Sequence, residues 1–128
     1  MAGTVADYQV LSDGPFSLEA VAGRDTRRIG FDLPGRLHRG GTKHHGGIFA
    51  FGIYDARDLD FDLILNGTKV YDSSGHTGGA RLTSDSDRTF QETFPSTQFS
   101  NGDNDLTIQV NRGSGTFHDL IVWFQRDT

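Results

Sequence analysis

The sequence predicts an all-β chain, a single antiparallel β-sandwich or jelly roll of about eight or nine strands, and three observations carry that expectation. Apolar residues recur with a period of two in run after run, as they do on strands with one buried face. The runs are separated by clusters of Gly, Asn, Asp, Ser and Pro, the residues of tight reversals. The composition, with 10 Phe and 17 Gly among 128 residues and only 34% hydrophobic residues, suits a core filled by aromatic rings and closed by glycine-rich loops. No segment has the 3.6-residue periodicity of an amphipathic helix.

The strands follow in order. Val5–Leu11 and Phe16–Val21 are separated by Ser12-Asp13-Gly14-Pro15, and Arg27–Leu33 stops at Pro34, whose ring fixes φ and removes a donor. The stretch from Gly35 to Gly47 is polar, glycine-rich and without periodicity, and a long loop in a compact domain is usually functional or disordered. Ile48–Tyr54 alternates Phe49, Phe51 and Ile53 with Ile48, Ala50, Gly52 and Tyr54; the small Ala50 and Gly52 leave room for a ligand or another backbone on their face. Leu59–Asp72 reads as a hairpin: Phe61, Leu63 and Leu65 face inward, Asp60 and Asp62 outward, and Asn66-Gly67 supplies the two positive-φ residues of a type I′ turn. On the return strand Val70 lies opposite the core face. A polar stretch follows, with Ala80–Leu82 as a short edge strand. In Arg88–Phe94 the residues Phe90, Glu92 and Phe94 share a face, and in Leu106–Val110 the inward set is Leu106, Ile108 and Val110. Leu120–Phe124 is apolar at every position, which predicts a strand covered on both faces with Trp123 in the core.

A chain of 14.0 kDa reads as one domain over residues 1–128, able to bury roughly two thirds of its unfolded surface without disulfides. It has no cysteine, so it carries no redox signature. The amino terminus lacks a basic start followed by an apolar run, so neither a signal peptide nor a membrane span is read. The compartment stays open: cytoplasmic, or released without a visible signal. A formal charge of −5 argues against a general nucleic-acid binder, because phosphate contacts dominate that affinity. The charge is uneven: Arg24, Arg27, Arg28, Arg36, Arg39 and Lys43 face only Asp25 and Asp32 in their window, giving +4 there and −9 elsewhere. Such an edge meets an anionic partner or, more commonly, blocks edge-to-edge aggregation.

The second half of the chain, with LDFDLILNGTKVYD, RTFQETFP, NGDNDLTIQV and GSGTFHDLIVWFQ, resembles the carboxy-terminal half of galactose-binding-domain-like β-sandwiches, a fold that includes many carbohydrate-binding modules. Asn66-Gly67, Gly102-Asp103-Asn104 and Asp119 stand where that family has its turn and closing-strand residues. The resemblance implies a β-sandwich and a sugar-binding role. Asn104 and Asp119 are read as structural, Asn104 through a left-handed turn and Asp119 by accepting backbone N–H groups.

Catalytic and metal chemistry find little support. His44 and His45 are adjacent and would point to opposite faces of a strand, and no thiolate or HExxH spacing accompanies His38, His76 or His118. No metal site and no cofactor are expected; calcium on the Asp55/Asp58/Asp60/Asp62 or Asp103/Asp105 groups is the minority alternative. Ser114, His118 and Asp119 do not make a triad on a strand, since His118 and Asp119 would face opposite ways. The chain is therefore read as no enzyme but a lectin-like carbohydrate-binding module. Its expected ligand residues are Tyr54, Asp55, Arg57, His44, His45 and Tyr71, which offer ring faces and planar polar groups. Carbohydrate is the expected partner, with no nucleic acid and no membrane. The alternative is a structural β-sandwich that forms a homo-oligomer or docks on a larger particle through its edge strands and the basic 24–43 segment.

Overall fold

The computed structural model describes residues 3–38, 46–73, 82–84 and 86–127. Two strands dominate it. β4 (Gly46–Leu65) has 20 residues and β8 (Asp103–Asp127) has 25, and they run antiparallel from Gly47 opposite Phe124 to Leu65 opposite Leu106. The sequence predicts each as two separate strands; the structure joins them. Straight, β4 would reach about 66 Å at a rise of ~3.3 Å per residue, whereas a globule of this length has a radius of gyration near ~14 Å. The pair must therefore fold over.

It folds at bulges. In β4 the register against β8 shifts between Tyr54 and Arg57 and again between Arg57 and Asp60, with Asp55 at φ 53° and Asp58 at φ 51°. In β8 the bend is met by Gly113 at φ 69°. A Cβ at this position would run into the backbone carbonyls of Arg57 and Asp58, so both the dihedral and the close approach call for glycine. Across the bend the rings of Phe51 and Phe61 meet edge to face at 6.0 Å, and Phe117 closes the group at 5.2 Å from Phe61. One sheet thus packs against itself as a sandwich.

The remaining strands line the outer edges of the pair. β1 (Thr4–Ser12), β2 (Phe16–Glu19) and β3 (Thr26–Asp32) all pair with β8. β5 (Thr68–Asp72), β6 (Leu82–Ser84) and β7 (Arg88–Pro95) all pair with β4, and a single 3₁₀ turn, Ser96–Gln98, leads out of β7. The architecture is the expected all-β sandwich. Asn66 at φ 51° and Gly67 at φ 85° form the expected reversal between β4 and β5.

The inner face is one apolar cluster running from Phe49, Phe51 and Ile53 through Phe61, Leu63 and Leu65 to Leu106, Ile108, Phe117 and Val122. Asn104 is buried and structural: its Oδ1 accepts from the Ser100 N–H at 2.7 Å and from Asn66 Nδ2 at 2.9 Å, and its Nδ2 donates to the Ser100 and Gly102 carbonyls. It does this without a positive φ, which belongs instead to Asp119 at 50°. Asp62 is not on a wet face. It is 7% exposed, because Lys69 Nζ at 3.4 Å and Asn111 Nδ2 at 3.0 Å cover its carboxylate.

Replacing Gly113 by Ala combines a left-handed φ with a backbone clash and is expected to cost about 2–5 kcal/mol. Urea unfolding measures it, and a midpoint unchanged from the parent would remove Gly113 from this account.

Candidate functional site

The bulges also decide which residues face out. Counting by twos from the buried Phe117 would put Trp123 inside. Asp119, left-handed, inserts one extra residue, so the inward set continues as Leu120, Val122 and Phe124, and Ile121 and Trp123 turn outward. Trp123 is 37% exposed, and the sequence-based expectation of a strand covered on both faces is corrected accordingly.

On the outer face of the layer made by β1, the end of β8, the start of β4 and β7, two rows cross the sheet. Tyr8, Trp123, Ile48 and Thr93 are successive neighbours in the first, and Val10, Ile121, Ala50 and Gln91 in the second. Tyr8 and Trp123 lie with ring centroids 4.9 Å apart and planes tilted by 42°, and Tyr8 is 54% exposed. Beyond the small Ala50 the face continues by the period of two to Gly52 and Tyr54, about 20 Å from Ile48 along β4. At that end Tyr54 is half-buried, its ring 5.6 Å from that of His118. Next to it the hydroxyls of Ser17 and Thr116 hydrogen-bond at 2.9 Å.

His118 lies over Gly52, where a Cβ would collide with the imidazole. Its Nδ1 is 2.7 Å from Asp119 Oδ2 and its Nε2 is 2.8 Å from Asp87 Oδ1. The expectation that His118 and Asp119 point apart is thus overturned: the left-handed backbone at Asp119 turns the carboxylate back onto the ring. The side-chain partner of Asp119 is the imidazole and not the backbone N–H groups expected for it. The carboxylates of Asp119 and Asp87 face Nδ1 and Nε2 of His118, so in this geometry Nε2 is directed at Asp87 and not at Ser114.

A second recess, a cleft of about 580 Å³, opens between β2 and β3. Phe16 and Leu18 line it with Arg24, Arg27, Asp55 and Thr116. Much of its polarity is already engaged, since Arg24 pairs with Glu19 at 3.0 Å and the Arg27 guanidinium lies 4.9 Å over the Phe16 ring.

The six sequence-predicted ligand residues are dispersed. Tyr54 stands at the end of the outer face, Asp55 lines the cleft, and Arg57 is exposed at the bend with Nη1 bonded to the Ala56 carbonyl at 3.2 Å. Tyr71 is 5% exposed and packs on Phe61 at 5.5 Å, because pairing with Leu63 puts it on the inner face. Burial, with the carboxylates of Glu92, Asp72 and Asp60 nearby, holds its hydroxyl well above the usual phenol pKa. His44 and His45 lie outside the described residues, as do His76 and the first part of the 80–82 segment. Among the described residues no three His, Cys, Asp or Glu side chains converge as a metal set. Asp60 accepts from Ser73 at 3.0 Å, and Asp105 accepts from Arg28 at 2.7 Å, a pairing that lowers its pKa. Within the basic segment Arg24 pairs with Glu19 and Arg28 with Asp105.

Tyr8 and Trp123 were not among the sequence-predicted ligand residues. The alternation of Thr4–Ser12 places Tyr8 and Val10 on one face, which is the signal for the first; nothing in the sequence marks the bulge that exposes the second.

Solved structures share this fold. A β-porphyranase of glycoside hydrolase family 86 from the human gut bacterium Bacteroides plebeius aligns over 98% of this chain and 21% of its own, with a TM-score of 0.59 and 16% identity. A BuGH86 variant in complex with neoagarooctaose aligns over 100% of this chain and 20% of its own, with a TM-score of 0.60 and 10% identity. The likeness is one of fold, an all-β sandwich that these structures contain. Dimeric latent PorU from Porphyromonas gingivalis contains it too, at a TM-score of 0.56 and 18% identity over 98% of this chain and 13% of its own. The chain spans about a fifth or less of these proteins, and the likeness is one of fold. No protein-family model matches the chain, and no curated protein matches it either. Among the described residues no helix is long and apolar enough to cross a membrane.

Replacing Gly52 by Ala is expected to push His118 off the sheet and cost about 1–3 kcal/mol by overpacking. Urea unfolding checks it; an unaltered midpoint would mean that the imidazole has room to spare.

Proposed function

We propose that this domain is a non-catalytic carbohydrate-binding module whose ligand lies along the outer face from Tyr8 and Trp123 to Tyr54. The exposed Tyr8–Trp123 pair carries the reading. Pyranose rings present flat C–H faces that pack on aromatic rings, while their edges need planar or hydroxyl hydrogen-bonding groups. Thr93 and Gln91 stand exposed on β7, across Ile48 and Ala50 from the aromatic pair, and Ser17 and Thr116, at the rim of the cleft, border Tyr54. Between them Ala50 keeps the surface low. A length of about 20 Å suits an oligosaccharide better than a single sugar. Arg57, exposed at the bend past Tyr54, extends the same reading to its polar end, whereas Asp55 lines the cleft. No cofactor and no catalytic step are part of it.

A second reading rests on the same exposure. Val5, Tyr8 and Val10 leave β1 apolar, and its outer edge has no strand partner among the described residues. Such an edge can take a second copy of the chain or a larger particle.

Trp123 is the only tryptophan of the chain, so its emission reports on the proposed surface directly. Glycan-array screening followed by fluorescence titration with the hits is expected to show a saturable change. Trp123→Ala should weaken binding at least about tenfold, some 1.4 kcal/mol, with little effect on melting. A panel with no hits, or a Trp123→Ala variant that binds as the parent does, would count against the module. Sedimentation of a defined dimer that ignores every sugar would select the assembly reading.

A further inference from the structure

The Tyr54 end of the outer face holds one feature that sugar stacking does not use. His118 is flanked on both ring nitrogens by carboxylates, Asp87 at 2.8 Å and Asp119 at 2.7 Å, with 19% of its side chain exposed. A neutral imidazole has one N–H and one lone pair, so it can donate to one carboxylate while its lone pair opposes the other; the imidazolium donates to both. The groups facing the ring come from three places. The segment ahead of β7 supplies Asp87, β8 itself supplies Asp119, and β4 supplies Tyr54 and the bare Gly52 on which the ring rests.

We infer that Asp87, His118 and Asp119 form a proton-operated clasp, closed when the imidazole is charged and opened at Asp87 or Asp119 when it is neutral. Closed, it ties the segment entering β7 to β8 across β4 and holds the ring against Gly52 beside Tyr54. Open, it leaves two carboxylates with a single donor between them. Hydrogen bonds donated by the imidazolium to Asp87 and Asp119 raise the His118 pKa above its ordinary value against the opposing effect of burial. A raised folded-state pKa means that the stabilisation is fully present below the unfolded value near ~6.5 and is lost as pH rises through the folded value. Resting on the carbohydrate reading, the clasp would tune the Tyr54 end of the surface with pH and leave the Tyr8–Trp123 end alone.

Long-range ¹H–¹⁵N NMR titration of the histidines tests it in the full chain, with His118→Gln used to assign the resonance. Thermal unfolding at about pH 6 and about pH 9 is measured alongside. The parent is expected to titrate above ~6.5 at His118, Asp87→Asn to move that midpoint down and shrink the acid-side gain in melting temperature, and Asp87→Glu to restore part of both. A parent midpoint at or below ~6.5, or a midpoint unmoved in Asp87→Asn, would overturn the clasp. Neither readout needs a sugar. A raised, Asp87-dependent midpoint in a protein that binds no glycan would therefore sink the carbohydrate reading and leave the clasp standing.

Discussion

The structure depends on one constraint: β4 and β8 are paired along nearly their whole length and are too long to stay straight in a globule of this size. Folding the pair over brings its own inner face together, so Phe51 and Phe61, ten positions apart on one strand, meet edge to face with Phe117 between them. Hydrophobic burial drives the closure, and the backbone pays for it at Asp55, Asp58 and Gly113, which accept left-handed dihedrals. Gly113 is the tightest point, because two carbonyls of β4 pass where a side chain would be. The edge strands then add to a frame whose shape is already set.

The same bulges make the surface. Each inserted residue changes which side chains face the core, and the one at Asp119 turns Trp123 out beside Tyr8 while bringing Asp119 back onto His118. Core and candidate site are therefore two results of one backbone adjustment. A buried face rich in phenylalanine leaves the chain's single tryptophan free to lie on the outside. The small residues of β4, Ala50 and Gly52, have separate uses: the first keeps the face low, and the second makes room for an imidazole.

Much of the fold was legible in the sequence. Alternation identified the inward faces of β4, β7 and the start of β8, and Asn66-Gly67 marked its turn because few residue pairs tolerate two positive φ values. The joining of strands at the bend was hidden, since Asp55 and Asp58 look like loop residues and Gly113 and Gly115 like a turn. The bulge at Asp119 was hidden too, for an aspartate inside a strand has no distinctive signature, and missing it reversed the orientation of Trp123. The site was less legible than the fold. Tyr71 pairs with Leu63 beyond a register shift and so lies in the core, while the partners of His118 come from 31 residues upstream and from the next residue along.

Chemical-shift mapping by NMR, with an array-selected oligosaccharide added stepwise to the ¹⁵N-labelled protein, tests most directly the claim that the bulged pair builds a ligand face. Perturbations are expected on Tyr8, Ile48, Ala50, Tyr54, Ile121 and the Trp123 indole, with the core and the β5 edge silent. Perturbations gathered instead around Phe16, Leu18 and Arg27, with the Trp123 indole unmoved, would contradict it.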